Sequence, residues 1–329
     1  MSDRPNSRGV RRARRYLGHA SRTALNPILN RREQLAAASA ERIAGGGRWV
    51  HLRPGFPPSA DERPRYGYGS PPHARLRAIL ARGDDDYRQV LEGFGAYREE
   101  LNAIPLRKPG PAQAFWSNMS LFGIDGAALY CYARRLAPRR YLEIGSGNST
   151  LFVDRARRDG SLDMEIISID PGPRFEIDSV CDRVIRAPLE TTDLGIFSEL
   201  REGDIVFMDG THRVFTNSDA TVFFLDVLPE LPPGVLVGIH DIHLPDDYLP
   251  QHTDHYYSEQ YLLACYLLAE SSWIRPSLPC WHVAGQPELQ PLAEALLPEA
   301  VLALPGRDAR GVTFWLTTGP RALSAGTAG

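Results

Sequence analysis

Two groups of residues in this sequence have the types and spacing to do chemistry. The first is Asp209, His212, His240, Asp241 and His243. An imidazole changes charge near neutral pH, so it can take or give a proton. Two carboxylates that converge suit a hard divalent cation such as Mg2+, and a histidine added to the set shifts preference toward manganese, iron or zinc. The second group is the run Tyr141–Thr150, YLEIGSGNST, followed by a helical pattern from Leu151. Its glycines let the backbone turn sharply and come close to a ligand. The helix start leaves N–H groups that can face a polar or anionic group. Asp170 ends a further apolar run, Glu165–Ile169, 25 positions after Gly145. An acid roughly 20 residues after such a turn is placed to accept hydrogen bonds from a ribose diol. Turn and acid together point to an adenosine-containing cofactor. Thr150 stands where a dinucleotide fingerprint has its third glycine, so a pyrophosphate is not indicated.

These residues need a scaffold. Apolar runs at Tyr141–Ile144, Glu165–Ile169, Arg183–Arg186, Ile205–Met208 and Val235–Ile239 alternate with helical patterns, and each ends in polar residues. That is the pattern of an α/β fold with a doubly wound, mostly parallel, Rossmann-like sheet. Ligands of such sheets bind beyond the carboxyl ends of the strands, the edge on which Asp170, Asp209, His212, His240, Asp241 and His243 all fall. A helix is expected over Gly123–Leu136, another over Asn217–Leu231 with Ser218 and Asp219 at its start, and others over Ser258–Leu268 and Glu288–Ala303. Late strands are expected around Pro279–His282 and over Val312–Thr317. Before the sheet come an arginine-rich arm to Arg32, a helix over Arg31–Ala44, a stretch rich in proline, glycine and tyrosine from Trp49 to His73, and helices between His73 and Ala103. A boundary is placed in the proline-rich link Pro105–Pro111. It separates an N-terminal extension, residues 1–110, from the main domain, 111–329.

Composition narrows the classes. The chain has 329 residues and a net charge of −3, which gives no reason to expect a polyanionic partner for the whole. Its four cysteines lack C-x-x-C spacing and read as reduced thiols rather than a disulfide or zinc framework. The start is polar and arginine-rich, unlike a signal peptide. The longest apolar region, Thr221–His240, is broken by Asp226, Glu230 and two prolines, so no membrane span is expected. A cytoplasmic protein is the default. The arm holds nine arginines but only Tyr16 as an aromatic, so a nucleic-acid partner is not expected. Self-association is left open.

The run Tyr141–Thr150 with Asp170 resembles the first motif of class I S-adenosylmethionine-dependent methyltransferases. Asp209-Gly210-Thr211-His212 resembles the D-G-x-H of metal-dependent O-methyltransferases that act on macrolide sugars. The resemblance covers roughly Ala112–Thr318. It implies S-adenosylmethionine as cofactor, contacted by Glu143, Gly145, Ser146, Gly147, Asn148, Ser149, Asp170, Glu190 and Asp209. It implies His212 as the base and either a divalent metal, Mg2+ or another, at Asp209 and Asp241, or no metal, with Asp209 contacting only the cofactor's amino group. The acceptor would be a small hydroxylated metabolite or saccharide. Ile242 departs from the family, which often has an oxygen ligand there; His243 or His240 is expected to substitute. His240, Tyr257, Glu259 and Trp116 are the expected acceptor contacts. Two other readings stand beside this one: a non-haem-metal hydroxylase-like enzyme on the same fold, and a non-catalytic binding protein. The glycine turn and Asp170 favour the transferase, since an iron oxygenase has no evident need of an adenosine site.

Overall fold

The computed structural model describes residues 63–118, 120–121, 123–173, 175–304 and 310–320. The arginine-rich arm and the helix expected over 31–44 lie outside the described residues. Seven strands form one sheet: β1 (Arg140–Ile144), β2 (Glu165–Ile169), β3 (Arg183–Ile185), β4 (Ile205–Met208), β5 (Leu236–Ile239), β6 (Ile274–Pro279) and β7 (Phe314–Thr318). Their order is β3-β2-β1-β4-β5-β7-β6. The first five are parallel, and β7 runs antiparallel between β5 and β6.

The central strands are continuous apolar runs because helices cover both faces of a parallel sheet. Successive side chains point to opposite faces. Tyr141 therefore joins one core with Trp116, Phe152 and Trp315, while Leu142 joins the other with Ile167, Phe223 and Leu263. The first face is covered by α3 (Ile124–Leu136) and α4 (Asn148–Gly160), and the second includes α5 (Glu259–Leu268). Two earlier helices, α1 (Ala74–Ala81) and α2 (Asp84–Phe94), belong to the same compact unit. Asp84, Asp85 and Asp86 fill the first turn of α2, where negative charge complements the helix dipole. Its Tyr87, Leu91 and Phe94 share a core with Trp315 of β7, so the Pro105–Pro111 link runs inside this unit.

Three expected elements differ. The segment 217–231 is an α-helical turn at Asp219–Val222, a π-helical turn at Phe223–Val227 and a 3-10 turn at Leu228–Glu230; Pro229 cannot donate to a regular helix there. The segment 288–303 is two short helices, Gln290–Glu294 and Glu299–Leu302, divided before Pro298. The strand expected around 279–282 is earlier, and Cys280–Ala284 is helical. No helix among the described residues is long and apolar enough to cross a membrane.

Candidate active site

The floor of the site is the turn between β1 and α4. Gly145 has φ +78°, and a side chain there would run into the carbonyl oxygen of Asp209. Only glycine lets the loop after β1 rest on the loop after β4. The next amide, Ser146 N–H, donates to Asp170 Oδ2 at 2.8 Å, and Gly172 N–H donates to Oδ1 at 2.8 Å. The strand-end acid thus faces the glycine turn. Gly147 N–H donates to the Thr150 hydroxyl oxygen at 3.0 Å, closing the first turn of α4. Asn148 Nδ2 donates to Ser120 Oγ at 2.7 Å, and Ser149 is buried in the same turn. Glu143 lies fully buried beneath, where its carboxylate accepts from the Thr150 hydroxyl. Burial pushes the Glu143 carboxyl up to about 8. Glu190 sits half-buried in the 3-10 turn after β3.

The second group gathers one strand over. Met208 pairs with Ile239, so the residues that follow β4 and β5 leave the sheet side by side. His212 and Asp241 both have left-handed backbones, at φ +62° and +57°. Such strain in a residue with a side chain persists only where the surroundings hold it. His212 Nε2 lies 3.3 Å from Asp209 Oδ1 and 3.3 Å from Asp241 Oδ2. Its other nitrogen, Nδ1, is 2.6 Å from Glu259 Oε1. His240 Nδ1 lies 3.4 Å from Asp209 Oδ1 and 3.7 Å from Asp241 Oδ1. Behind it, His240 Nε2 is 3.8 Å from Asp125 Oδ2.

Two imidazoles among carboxylates perturb each other. Burial works against charge on His240, yet Asp209 and Asp241 outweigh it and raise the imidazole to about 10. His212 is likewise raised well above its ordinary value, with Glu259 the main counterweight to burial. Burial raises the Asp209 carboxyl, but His240 and His212 overcome it and hold the group below the usual carboxylate range. Burial raises Glu259, with His212 opposing.

The donor set fits a divalent cation. Asp209, His240 and Asp241 each offer a ligand atom, all within 4.8 Å of one another. Neither ring nitrogen of His240 makes a hydrogen bond with a described residue, although the side chain is only 6% exposed.

Several expected roles change. His243 is not in this set: its ring packs against Trp281 at 4.9 Å and Tyr248 at 5.6 Å, and burial lowers it to about 4. His240, expected either as a metal ligand or on the acceptor side, faces the two aspartates. Glu259, also expected to meet the acceptor, is fully buried behind His212. Trp116 is a core residue, its ring 5.2 Å from Phe152 and its Nε1–H donating to Leu101 O. Tyr257 stays beside the site, half-buried and 4.6 Å from the His212 ring. It lines a cavity of about 230 Å3 together with Arg63, Arg65, Tyr248, His252 and Tyr261. A larger cavity of about 540 Å3 lies along Ile185 and Thr191–Glu199, and none of the expected site residues lines it.

Asp125 was not anticipated from the sequence. It is buried in the first turn of α3 and accepts from the backbone N–H groups of Val312 and Thr313, each at 2.8 Å. The signal was present as a lone acid in an otherwise apolar helix start.

The sheet order, the antiparallel seventh strand, the glycine turn after β1 and the acid ending β2 are those of the doubly wound, Rossmann-like α/β sheet expected from the sequence. Residues 142–242 match the family model described as a methyltransferase domain. No curated protein matches the chain. Among solved structures, the SAH-bound methyltransferase PaMTH1 of Podospora anserina is 16% identical, with a TM-score of 0.37 over 78% of this chain and 100% of that one. The O-methyltransferase from Bacillus cereus in complex with SAH is 15% identical, with a TM-score of 0.36 over 74% of this chain and 98% of that one. The family match spans β1 to the residue after Asp241, under a third of the chain.

Proposed function

We propose that this domain transfers a methyl group from S-adenosylmethionine to a hydroxyl oxygen of a small acceptor, a hydroxylated metabolite or saccharide. One observation carries the reading: the backbone of Gly145 lies against Asp209, so the turn suited to the cofactor abuts the Asp209–His212–Asp241 cluster. Each oxygen of Asp170 accepts one backbone N–H and keeps a lone pair for a ribose hydroxyl.

Methyl transfer from a sulfonium is an in-line displacement that depends on holding acceptor and methyl carbon together. The acceptor oxygen forms the new bond to carbon as the carbon–sulfur bond breaks. Sulfur keeps that electron pair and becomes the thioether of S-adenosylhomocysteine. His212 Nε2, the nitrogen that faces Asp209 and Asp241, would take the hydroxyl proton where a cation held by those two carboxylates offsets the negative charge that raises the imidazole. Glu259 accepts from Nδ1–H, which fixes the tautomer that leaves Nε2 as acceptor and stabilises the imidazolium formed. Asp209, Asp241 and His240 would hold a divalent cation, which supplies a Lewis acid that lowers the pKa of an acceptor hydroxyl. The cavity beside Tyr257, lined by tyrosines and arginines, supports a compact polar acceptor.

Calorimetric titration with S-adenosylmethionine and S-adenosylhomocysteine tests the reading on the wild type and Asp170→Ala. Hydrogen bonds to a charged group contribute about 1.5–3 kcal/mol each, so the variant should bind at least ~10-fold more weakly. Absence of binding by the wild type to either ligand would overturn the reading.

A further inference from the structure

We propose that the cation site is a mixed nitrogen–oxygen site, with His240 Nδ1 as a ligand beside Asp209 and Asp241. On this basis it takes a first-row transition cation such as Mn2+, Fe2+, Co2+ or Zn2+ in preference to Mg2+. The inference rests on Asp209 and Asp241 as cation ligands, as in the proposed function, but not on methyl transfer itself.

His240 is what points to a bound ion. Its imidazole is enclosed, and neither nitrogen has a hydrogen bond with a described residue. Buried polar groups are ordinarily paired, and each exception asks for an explanation. Here Nδ1 faces the gap between two carboxylates. The separations of 3.4 and 3.7 Å exceed the usual hydrogen-bond range of about 2.7–3.2 Å. The three donors nevertheless stay within 4.8 Å of one another.

The scaffold holds that arrangement in place. Asp209 and His240 follow strands paired in register, and His240 N–H donates to Met208 O at 2.9 Å. Sites built on strands are held more firmly than sites on loops. Asp125 then acts as a positioning residue. Its carboxylate is fixed by the Val312 and Thr313 amides and lies 3.8 Å from His240 Nε2, on the far side of the ring from the gap. A carboxylate behind a histidine is how metal-bound imidazoles are oriented. Glu259 occupies His212 Nδ1 in the same way, and His212 lies outside the three-donor set.

Donor chemistry decides the cation. Mg2+ demands oxygen ligands in near-ideal octahedral geometry. Imidazole suits zinc, copper, iron and nickel, and affinity rises along the first row from Mn2+. A third protein oxygen after Asp241 would have favoured Mg2+, but that position is Ile242, which is buried and apolar.

The test uses the full chain, stripped of metal and titrated separately with Co2+, Mn2+ and Mg2+. Expected is one equivalent of Co2+ bound at least ~10-fold more tightly than Mg2+. His240→Ala should weaken Co2+ by ~10-fold or more and narrow its margin over Mg2+. Asp125→Asn should weaken Co2+ by about 10–100-fold. Pulsed EPR of the Mn2+-loaded wild type should show coupling to an imidazole nitrogen, a readout that needs no variant. Equal affinity for Mg2+ and Co2+, unchanged Co2+ affinity in folded His240→Ala, or Mn2+ spectra without nitrogen coupling would each overturn the proposal. S-adenosylhomocysteine is titrated on the same samples. If it binds and no cation does, this inference fails while the proposed cofactor stands. If cations bind through His240 and it does not, the reverse holds.

Discussion

Replacing Glu143 by glutamine changes the charge beneath the glycine turn while keeping the shape. Glu143 is fully buried on β1, and its carboxyl rises from an ordinary 4.5 to about 8. The cause is loss of hydration, opposed by the hydrogen bond from Thr150. In the unfolded chain this carboxyl ionises near 4.5; in the folded chain it keeps its proton until about 8. Between those values the folded state binds more protons, so stability falls as pH rises through the window. One proton is worth about 1.36 kcal/mol per pH unit. Across the window this sums to on the order of 5 kcal/mol, comparable to the whole stability of a marginal domain. A glutamine here never ionises, and its amide oxygen can still accept from Thr150. Urea unfolding of wild type and Glu143→Gln at pH 5 and pH 8.5 measures the difference, since all other titrating groups are shared. The two should have similar stability at the lower pH. At the higher pH the variant should be more stable by about 2–5 kcal/mol. Parallel stability curves for the two proteins would refute the reasoning.

Two further substitutions probe the site. Glu259→Gln removes the charge behind His212 and should lower the methyl-transfer rate by about 10²–10⁴-fold, while S-adenosylhomocysteine affinity holds; a rate close to wild type would show that Glu259 does not act through His212. Gly145→Ala forces a methyl group against the Asp209 carbonyl at a positive φ, and strain of this kind costs about 1–3 kcal/mol. Its melting temperature should fall and S-adenosylhomocysteine binding should be lost; wild-type affinity in this variant would refute the contact.

The sequence made the sheet legible because five strands are apolar runs that stop at polar residues. Asp170, Asp209 and Asp241 could be read as strand-end acids for the same reason. What it did not convey is the direction of a side chain once the chain leaves a strand. The left-handed turn at Asp241 sends the following residues away from the cluster, so His243 packs against Trp281 while His240 stays at the gap. Glu259 could be read as a helix start or an acceptor contact, but not as the partner of His212, which is 47 residues away. Asp125 was hidden for the same reason, with its donors on residues 312 and 313. Trp116 resembled a site aromatic by position along the chain, but its neighbours, Leu101 and Phe152, come from elsewhere in the fold. Local pattern identified the elements; contacts between distant segments assigned the roles.

The place of β7 between β5 and β6 has a consequence for how the protein is made. A ribosome delivers β1 to β5 well before Phe314. At that stage the glycine turn and Asp170 can already meet, since their contacts lie within the early strands. His240 and Asp241, however, hang from a strand with one open edge, and Asp125 still lacks both of its amide donors. The nascent chain can therefore bring the glycine turn and Asp170, the proposed nucleoside half of the site, together during translation, while the proposed ion-binding half waits for the last strand to emerge.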